Sequence, residues 1–421
     1  KVENDASWRV QQAAILLVEA VLRNKPKNIV KYVPNLVQSL GVALKSATSS
    51  IRDNAVDTIE LLKTSIANEA VVDIFDYIVQ AISNPSSLPI AIDKIMHLNL
   101  IKRLDQTDLS LIIPIIANGC NSPNLQLKTD SLKIFGQLPN IAIESAIDQF
   151  SDEIIPPLLN GVSDSAPNVR AISAASLSSV VVCLKSEKYD QIMDTLIQEM
   201  TTKKSFSERQ GNSQAIASLI KAHGVEQLDS HLQSFVDLAK NSKDLKVREG
   251  YISLLGFLSH FFGEEFSSGF DISIEAVLDA CADPNDAIRT VGLRSASLIA
   301  KTFSLSHPQL ILKPYFACAL KENWRQRLCA VNFMKSFVMA TTGTTEADDK
   351  GIRTIGELLM KLEAAVDKEL LYPALITLWI LSADPVPTVS QEAQLVWRQA
   401  IPNTGNFLRN TMDILLERIS V

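Results

Sequence analysis

The amino-acid sequence repeats at intervals of about 40 residues, and this period restricts the fold more than any other feature. The clearest copy is ADPNDAIRTVGLRSASLIAKTF, residues 282 to 303. It opens with the turn residues DPND, in which Asn285 or Asp286 is a typical N-cap for a following helix. The pattern therefore predicts a turn that ends one helix and begins the next.

The helix predicted after this turn is apolar along one face. The residues on that face, at helical spacing, are Ile288, Val291, Ser295, Ala296, Ile299 and Phe303. Gly292 and Ala296 are small, so a neighbouring helix can approach closely there. We therefore expect this face to be buried against other helices.

A basic residue marks the same point of the helix in most copies. These residues are Arg9, Arg52, Lys128, Arg170, Arg209, Arg248, Arg289 and Arg325. The steps between the last five are 39, 39, 41 and 36 residues, and a further copy near Val389 carries Ser390 instead. Arg52 and Lys128 are separated by two steps of 38, with the intervening copy near Pro89.

This period is typical of HEAT and armadillo units, each a helical hairpin of about 40 residues. The sequence predicts an all-α protein, an α-solenoid of about nine to ten HEAT-type helical hairpins forming one continuous array over residues 1–421. Solenoids end in polar capping units, and neither Lys1 nor Val421 lies in one. We therefore interpret the chain as a fragment of a longer protein.

Two local departures from regular hairpins are predicted. A longer helix over residues 143–162 is expected to kink or break near Pro156 and Pro157. Residues 341–351, TTGTTEADDKG, form the one long polar stretch and are expected to be a flexible loop. Further hairpins are predicted over residues 352–421.

Composition excludes several classes of function. With a net charge of −7, the 421-residue chain cannot coat nucleic acid with a basic surface, so any contact with nucleic acid is local and DNA is not an expected partner. Five cysteines, none in CxxC spacing, lie in apolar helical runs and read as buried free thiols in a reducing compartment. No apolar run approaches the ~18 residues that span a bilayer, so no membrane partner is expected.

No arrangement of reactive residues predicts catalysis. The chain has no GxxxxGK[ST], HExxH or GxSxG motif, and its five histidines are isolated: His97, His223, His231, His260 and His307. We therefore predict that the protein is not an enzyme and has no cofactor, metal site or catalytic residue. An enzyme fragment whose active site lies elsewhere in a longer protein remains an alternative.

Basic residues near the predicted turns are the candidates for function. Lys203, Lys204 and Arg209 surround one turn, and Arg325 and Arg327 follow Trp324 at another. These five are candidate contacts for an anionic partner, the alternative being solvated faces. A further basic group near the start comprises Arg23, Lys25, Lys27 and Lys31.

The repeated basic residues have a structural interpretation instead. Arg52, Arg170, Arg248 and Arg289 are expected to form a basic ladder, in which each guanidinium bonds to an aspartate in the turn of the preceding repeat.

Residues 81–138 carry a resemblance to a known family. This segment resembles a block shared by fungal translation elongation factor three and the large activator of the general amino-acid control kinase. The residues that match the block are Pro85, Leu88-Pro89, Leu109-Ser110, Ile113-Pro114, Gly119 and Lys128. The segments that follow, among them ERQGNSQAIASLIKAHG and ENWRQRLCAVNFMKSF, are similar in order to the activator. The elongation factor would continue instead into ATP-binding cassettes. The elongation-factor-like block extends over about residues 8–340.

This resemblance implies a cytoplasmic, ribosome-associated scaffold of the general amino-acid control pathway. Such a scaffold binds translating or stalled ribosomes, through ribosomal proteins and local rRNA contacts. It also supports activation of the kinase that phosphorylates the α subunit of initiation factor two, and the kinase docks on parts of the family's chain outside the present residues. The alternative is a generic HEAT-repeat adaptor, such as a transport receptor, a phosphatase scaffold or a tubulin-binding array.

Overall fold

The computed structural model describes residues 8–24, 32–64, 66–343, 357–401 and 403–419. Within these ranges the chain forms 23 α-helices, and its one extended pairing is an isolated bridge between Leu104 and Ala142. The predicted all-α fold of HEAT-type hairpins is confirmed. In the same ranges no helix is both long and apolar enough to cross a bilayer.

The chain divides into two compact units, residues 1–196 and 197–421. The helices of the first unit are α1 (Trp8–Arg23), α2 (Val33–Ala43), α3 (Ser49–Lys63), α4 (Glu69–Ser83), α5 (Leu88–Met96), α6 (Gln106–Cys120), α7 (Leu125–Ile141), α8 (Glu144–Gln149), α9 (Ser151–Val162) and α10 (Pro167–Val181). Helix α11 (Ser186–Thr202) runs through the division.

The second unit begins within α11 and continues in helical pairs. Its helices are α12 (Phe206–His223), α13 (Val225–Asn241), α14 (Leu245–Phe262), α15 (Phe270–Cys281), α16 (Asp286–Phe303), α17 (Pro308–Ala319), α18 (Trp324–Thr342), α19 (Glu357–Ala365), α20 (Lys368–Leu381), α21 (Pro387–Ala400), α22 (Thr404–Asn410) and α23 (Met412–Ile419). The prediction of one continuous array over residues 1–421 stays a prediction.

Helix α16 shows how the repeat builds its hairpin. Asn285 is the N-cap, and its Oδ1 accepts hydrogen bonds from the backbone N–H groups of Ala287 at 2.9 Å and Ile288 at 3.3 Å. All six residues of the predicted apolar face are buried. The buried face predicted from the sequence is confirmed, and of the two predicted N-cap residues, Asn285 and Asp286, the structure shows Asn285 in that role.

Gly292 allows α15 and α16 to pack backbone against backbone. A Cβ atom at this position would lie 2.7 Å from the backbone nitrogen of Cys281 and 2.8 Å from the carbonyl carbon of Ala280. These neighbours are main-chain atoms, which cannot move aside as a flexible side chain would. The close approach therefore requires glycine.

Within each unit, helices contact the corresponding helices of the adjacent hairpins. In the first unit, α7 packs on α10 and α6 packs on α9. In the second unit, α12, α14, α16, α18 and α21 form a row of second helices, each in contact with the next. Large aromatic side chains fill the layers beneath this row, and Phe270 meets Phe303 edge to face with ring centroids 5.1 Å apart.

Of the predicted kink or break near Pro156 and Pro157, the break is wrong, and the kink stays a prediction. The chain breaks earlier, at Phe150, and both prolines lie inside α9. Phe150 ends α8 by donating its N–H to the carbonyls of Ala146 and Ile147, each at 3.2 Å. The prolines are tolerated because the carbonyls that lose a partner belong to Asp152 and Glu153, which are exposed to water.

The first residues of the predicted loop, 341–351, belong to a helix instead. Helix α18 continues to Thr342, and Gly343 ends it in the left-handed conformation, with φ of 67° and its N–H bonded to the carbonyl of Met339. Residues 344–356 lie outside the described residues.

Candidate partner-binding surface

The basic ladder is defined by helix position, since each member is the fourth residue of its helix. This position holds Arg52 in α3, Lys128 in α7, Arg170 in α10, Arg209 in α12, Arg248 in α14, Arg289 in α16 and Arg327 in α18. Ser390 holds it in α21, where the sequence predicted the loss of the basic residue.

Most ladder arginines close the turn at the start of their own helix. In each case Nη1 donates to the two carbonyl oxygens six and five residues earlier in the chain. For Arg170 these belong to Asp164 at 3.0 Å and Ser165 at 2.8 Å. Arg52, Arg209, Arg289 and Arg327 repeat the arrangement at 2.6 to 3.0 Å. The guanidinium thus acts within its own repeat, on backbone carbonyls of the turn.

Contacts to aspartate between repeats exist, but they run forward along the chain. Lys128 pairs with Asp164 at 2.9 Å, Arg248 with Asp283 at 2.6 Å and Arg327 with Asp384 at 2.6 Å. The aspartate partner was expected in the preceding repeat, and for these pairs this expectation is wrong. The aspartate belongs to the turn of the following hairpin, and it also accepts the backbone N–H two residues further on, at 2.8 to 2.9 Å.

Two of the forward pairs lower the pKa of their aspartates, Asp164 and Asp384. Burial alone would raise the pKa of Asp384, but hydrogen bonds from Arg327 and from the N–H of Val386, together with the guanidinium charge, bring it below its ordinary value. The pKa of Asp164 is lowered in the same way by Lys128 and the N–H of Ala166, against the effect of burial. These two pairs therefore stabilise an ionised carboxylate between stacked turns.

Arg209 and Arg327, two of the five candidate contact residues, lie in this ladder. Arg209 is only 5% exposed and its Nη2 pairs with Glu249, itself 6% exposed. Arg327 donates to two backbone carbonyls and to Asp384. Their donors are directed into the repeat stack.

The ladder register assumed at Trp324 was shifted by two residues. Arg325 is the second residue of α18 and Arg327 the fourth, so the last step is 38 residues instead of 36. The sequence analysis aligned Trp324-Arg325 with Ile288-Arg289 because both show a large residue followed by an arginine. The ladder position, however, is counted from the first residue of the helix.

Lys203, Lys204 and Arg325 lie at turn positions on the surface. Lys204 is exposed, and Lys203 is half-buried with its Nζ 3.5 Å from a carboxylate oxygen of Glu199. Arg325 stacks over the indole of Trp324, 4.8 Å from the ring centroid. These three are the members of the predicted set whose charged groups face outward.

The structure adds three cations that the sequence analysis did not single out: Lys243, Lys246 and Lys321. Lys243 and Lys321 are exposed, and Lys246 reaches the carbonyl of Thr202 in the adjacent turn at 3.4 Å. Lys203, Lys204, Lys243, Lys246, Lys321 and Arg325 are together called the basic turn edge. The sequence spacing could have revealed most of these cations. Lys203 and Lys321 stand six residues before a ladder arginine, and Lys204 and Lys243 stand five residues before one.

The basic group near the start of the chain is described only in part. Arg23 pairs with Glu19 one turn earlier in α1, at 2.6 Å. Lys25, Lys27 and Lys31 lie outside the described residues.

The repeated turns, ladder and stacked hairpins define a helical-repeat protein of the HEAT class. No family model matches the chain. Along its full length, however, it is similar to proteins named eIF-2-alpha kinase activator GCN1. It is 23% identical over 431 residues to that of Dictyostelium discoideum, covering 100% of this chain, and 23% identical over 417 residues to that of Saccharomyces cerevisiae, covering 98%. The predicted resemblance to this activator is confirmed.

Other relatives fit the same pattern. The human protein named Stalled ribosome sensor GCN1 is 22% identical over 423 residues, which is 98% of this chain. Elongation factor 3 of Gonapodya prolifera is 18% identical over 270 residues, 64% of this chain. The chain spans 16% of the length of each of the three GCN1 relatives.

Solved helical-repeat structures are also similar. A designed armadillo repeat protein matches 68% of this chain and 98% of its own at 15% identity, with a TM-score of 0.24. A structure of a TOG domain array in tubulin recruitment matches 99% of this chain and 98% of its own at 12% identity, with a TM-score of 0.34.

Proposed function

We propose that this chain is part of a ribosome-associated scaffold of the general amino-acid control pathway. In this role it binds translating or stalled ribosomes in the cytoplasm and supports activation of the kinase that phosphorylates initiation factor two α. The kinase binds elsewhere in the full-length protein. The chain contributes binding surface to this process and catalyses no reaction.

The observation that carries the proposal is the extent of the similarity. The three GCN1 alignments cover 98 to 100% of this chain, whereas the elongation factor 3 alignments cover 43 and 64%. The GCN1 relatives are named as kinase activators and as a stalled ribosome sensor. An interrupted similarity would have favoured a generic repeat adaptor.

The basic turn edge is the surface we assign to the ribosome. Its six cations lie in turns of one unit or within two residues of the start of the helix that follows. Cations on three of the turns of this unit can contact the phosphates of an RNA backbone, a mode of binding that needs no base contacts. Arg209 and Arg327 are left out of this surface because Arg209 is buried and the donors of Arg327 are occupied within the ladder.

Cosedimentation with purified ribosomes tests the proposal. The variant Lys203→Glu/Lys204→Glu/Arg325→Glu should lose most of its binding. A matched variant, Lys94→Glu/Lys133→Glu/Lys313→Glu, has the same charge change at exposed positions away from the turns and should bind as the unmodified chain does. Equal binding by both variants would refute the assignment of the turn edge, and absence of binding by the unmodified chain would refute a ribosome contact in this fragment.

A further inference from the structure

A long groove runs across the row of second helices in the unit formed by residues 197–421. It has a volume of about 1070 Å³ and is lined by residues of α12, α14, α16 and α18. Its walls include the half-buried side chains of Phe257, Leu293, Leu298 and Met339. The groove therefore offers apolar surface on three stacked helices, α14, α16 and α18, and shares no residue with the basic turn edge.

The charged residues that line the groove are all cations. They are Arg294, Lys301 and Lys335, and no aspartate or glutamate is among the lining residues. Lys335 pairs with Glu392 of α21 at 3.0 Å. Arg294 and Lys301 are exposed, and among the described residues no carboxylate lies within salt-bridge distance of either. In a chain of net charge −7 this is a locally positive surface.

The two exposed cations are arranged along one helix. Arg294 and Lys301 are seven residues apart on α16, which is two turns or about 10.5 Å along its axis. Arg294 is held over the ring of Phe206 at 5.0 Å, so its position is defined before any ligand binds. Ser336 of α18 donates a hydrogen bond to Ser297 of α16 at 2.9 Å.

We propose that this groove binds an acidic amphipathic helix of a partner protein. The apolar walls would bury the leucine face of such a helix, and carboxylates two turns apart would meet Arg294 and Lys301. RNA fits less well. Its two exposed cations can neutralise few phosphates. The aromatic lining is limited to Phe257 and Phe333, of which Phe333 is 1% exposed and cannot stack on a base.

The test uses defined probes and the 421-residue chain. A fluorescein-labelled synthetic helix of about five turns, with leucine on one face and glutamate on the flanks, is titrated with protein and followed by anisotropy. Versions with lysine for glutamate and with serine for leucine are compared, and single-stranded poly(U) RNA is the rival ligand. We expect the acidic helix to bind and the lysine helix, the serine helix and the RNA to bind at least about tenfold more weakly.

Variants locate the binding within the groove. Arg294→Glu/Lys301→Glu should weaken the acidic helix at least about tenfold, and Arg294→Lys/Lys301→Arg should retain it. The turn-edge variant Lys203→Glu/Lys204→Glu/Arg325→Glu should bind the acidic helix normally. Circular dichroism checks that each variant is folded. Carbodiimide coupling followed by mass spectrometry should join the peptide glutamates to Lys301.

Three outcomes would overturn the inference. One is equal binding of the glutamate and lysine helices, and another is binding that survives Arg294→Glu/Lys301→Glu. The third is tighter binding of poly(U), lost in that variant, which would make the groove an RNA site. The ribosome assay tests the basic turn edge, and the peptide assay tests the groove. A negative result in one assay is therefore distinguishable from a negative result in the other.

Discussion

Arg327 and Asp384 form a two-point ion pair across 57 residues of sequence. Nε of Arg327 lies 2.6 Å from Oδ2 of Asp384, and Nη2 lies 3.1 Å from Oδ1. The equivalent forward pairs join residues 36 and 35 apart. The turn before α21 therefore pairs with α18 as the turn of the next repeat does in the other forward pairs, although the additional helix α19 lies between them in the sequence. Accordingly, α18 and α21 are neighbours in the row of second helices.

Loss of the Arg327 side chain should destabilise this unit. Arg327→Ala leaves the carboxylate of Asp384, whose side chain is 4% exposed, without its charged partner, and it also frees two turn carbonyls. We expect a cost of about 2 kcal/mol in urea unfolding. Arg325→Ala, two residues earlier and on the surface, is the control and should cost less than about 0.5 kcal/mol. Equal costs would mean that the pair adds nothing to stability.

The pair of Arg327 and Asp384 should make the free energy of unfolding depend on pH in the acidic range. The folded state lowers the pKa of Asp384, so its contribution is complete above the ordinary aspartate pKa and is lost as the pH falls through the folded-state value. Unfolding of the unmodified chain and of Asp384→Asn, measured from neutral pH into acid, should show a difference that shrinks as the pH falls. A difference that is constant with pH would contradict this assignment.

Substitution of Gly292 should force α15 and α16 apart. Gly292→Leu is expected to cost on the order of 1 to 3 kcal/mol, because its Cβ would lie 2.7 Å from the main-chain nitrogen of Cys281. Gly405→Ala is the matched control, since the nearest atom to its Cβ is 3.9 Å away. Thermal melting should separate the two variants, and an unchanged melting temperature for Gly292→Leu would show that this face is not closely packed.

The five thiols should differ in reactivity. Burial raises the pKa of Cys120 to about 12, and burial with the nearby Cys329 and Asp279 raises that of Cys318 to about 12. Cys281 and Cys329 are also buried, whereas Cys183 is partly exposed. Near pH 8, a disulfide reagent should therefore modify one thiol rapidly in the folded chain and all five in urea. Cys183→Ser should remove the rapid phase. Rapid labelling of Cys120 would contradict its burial.

Ribosome binding through the turn edge should weaken with salt in proportion to the cations involved. Lys243→Ala/Lys321→Ala removes two cations that were recognised only in the structure. The slope of log affinity against log salt should fall by roughly 0.7 to 0.9 for each one that contacts phosphate. Lys94→Ala/Lys133→Ala should leave the slope unchanged. An unaltered slope in the first variant would remove these two lysines from the surface.

Sequence reasoning succeeded where the signal is local. The cap at Asn285, the buried face of α16 and the missing basic residue at Ser390 each follow from residues within a few turns of one another. It failed where the outcome depended on a helix start. In the sequence, Arg325 and Arg327 both fit the ladder pattern. Only the start of α18 at Trp324 shows that Arg327 is the fourth residue of the helix and therefore the ladder residue.

The sequence by itself determined the hairpins, their period and the faces they bury, because capping, helix propensity and apolar spacing act over short stretches of chain. The stacking of repeats decided the rest: the forward pairs such as Arg327 with Asp384, the basic turn edge, and the groove that brings Arg294 together with Lys335. Those contacts join side chains on different repeats, up to 57 residues apart, so they depend on how the layers pack and are not encoded in any single segment.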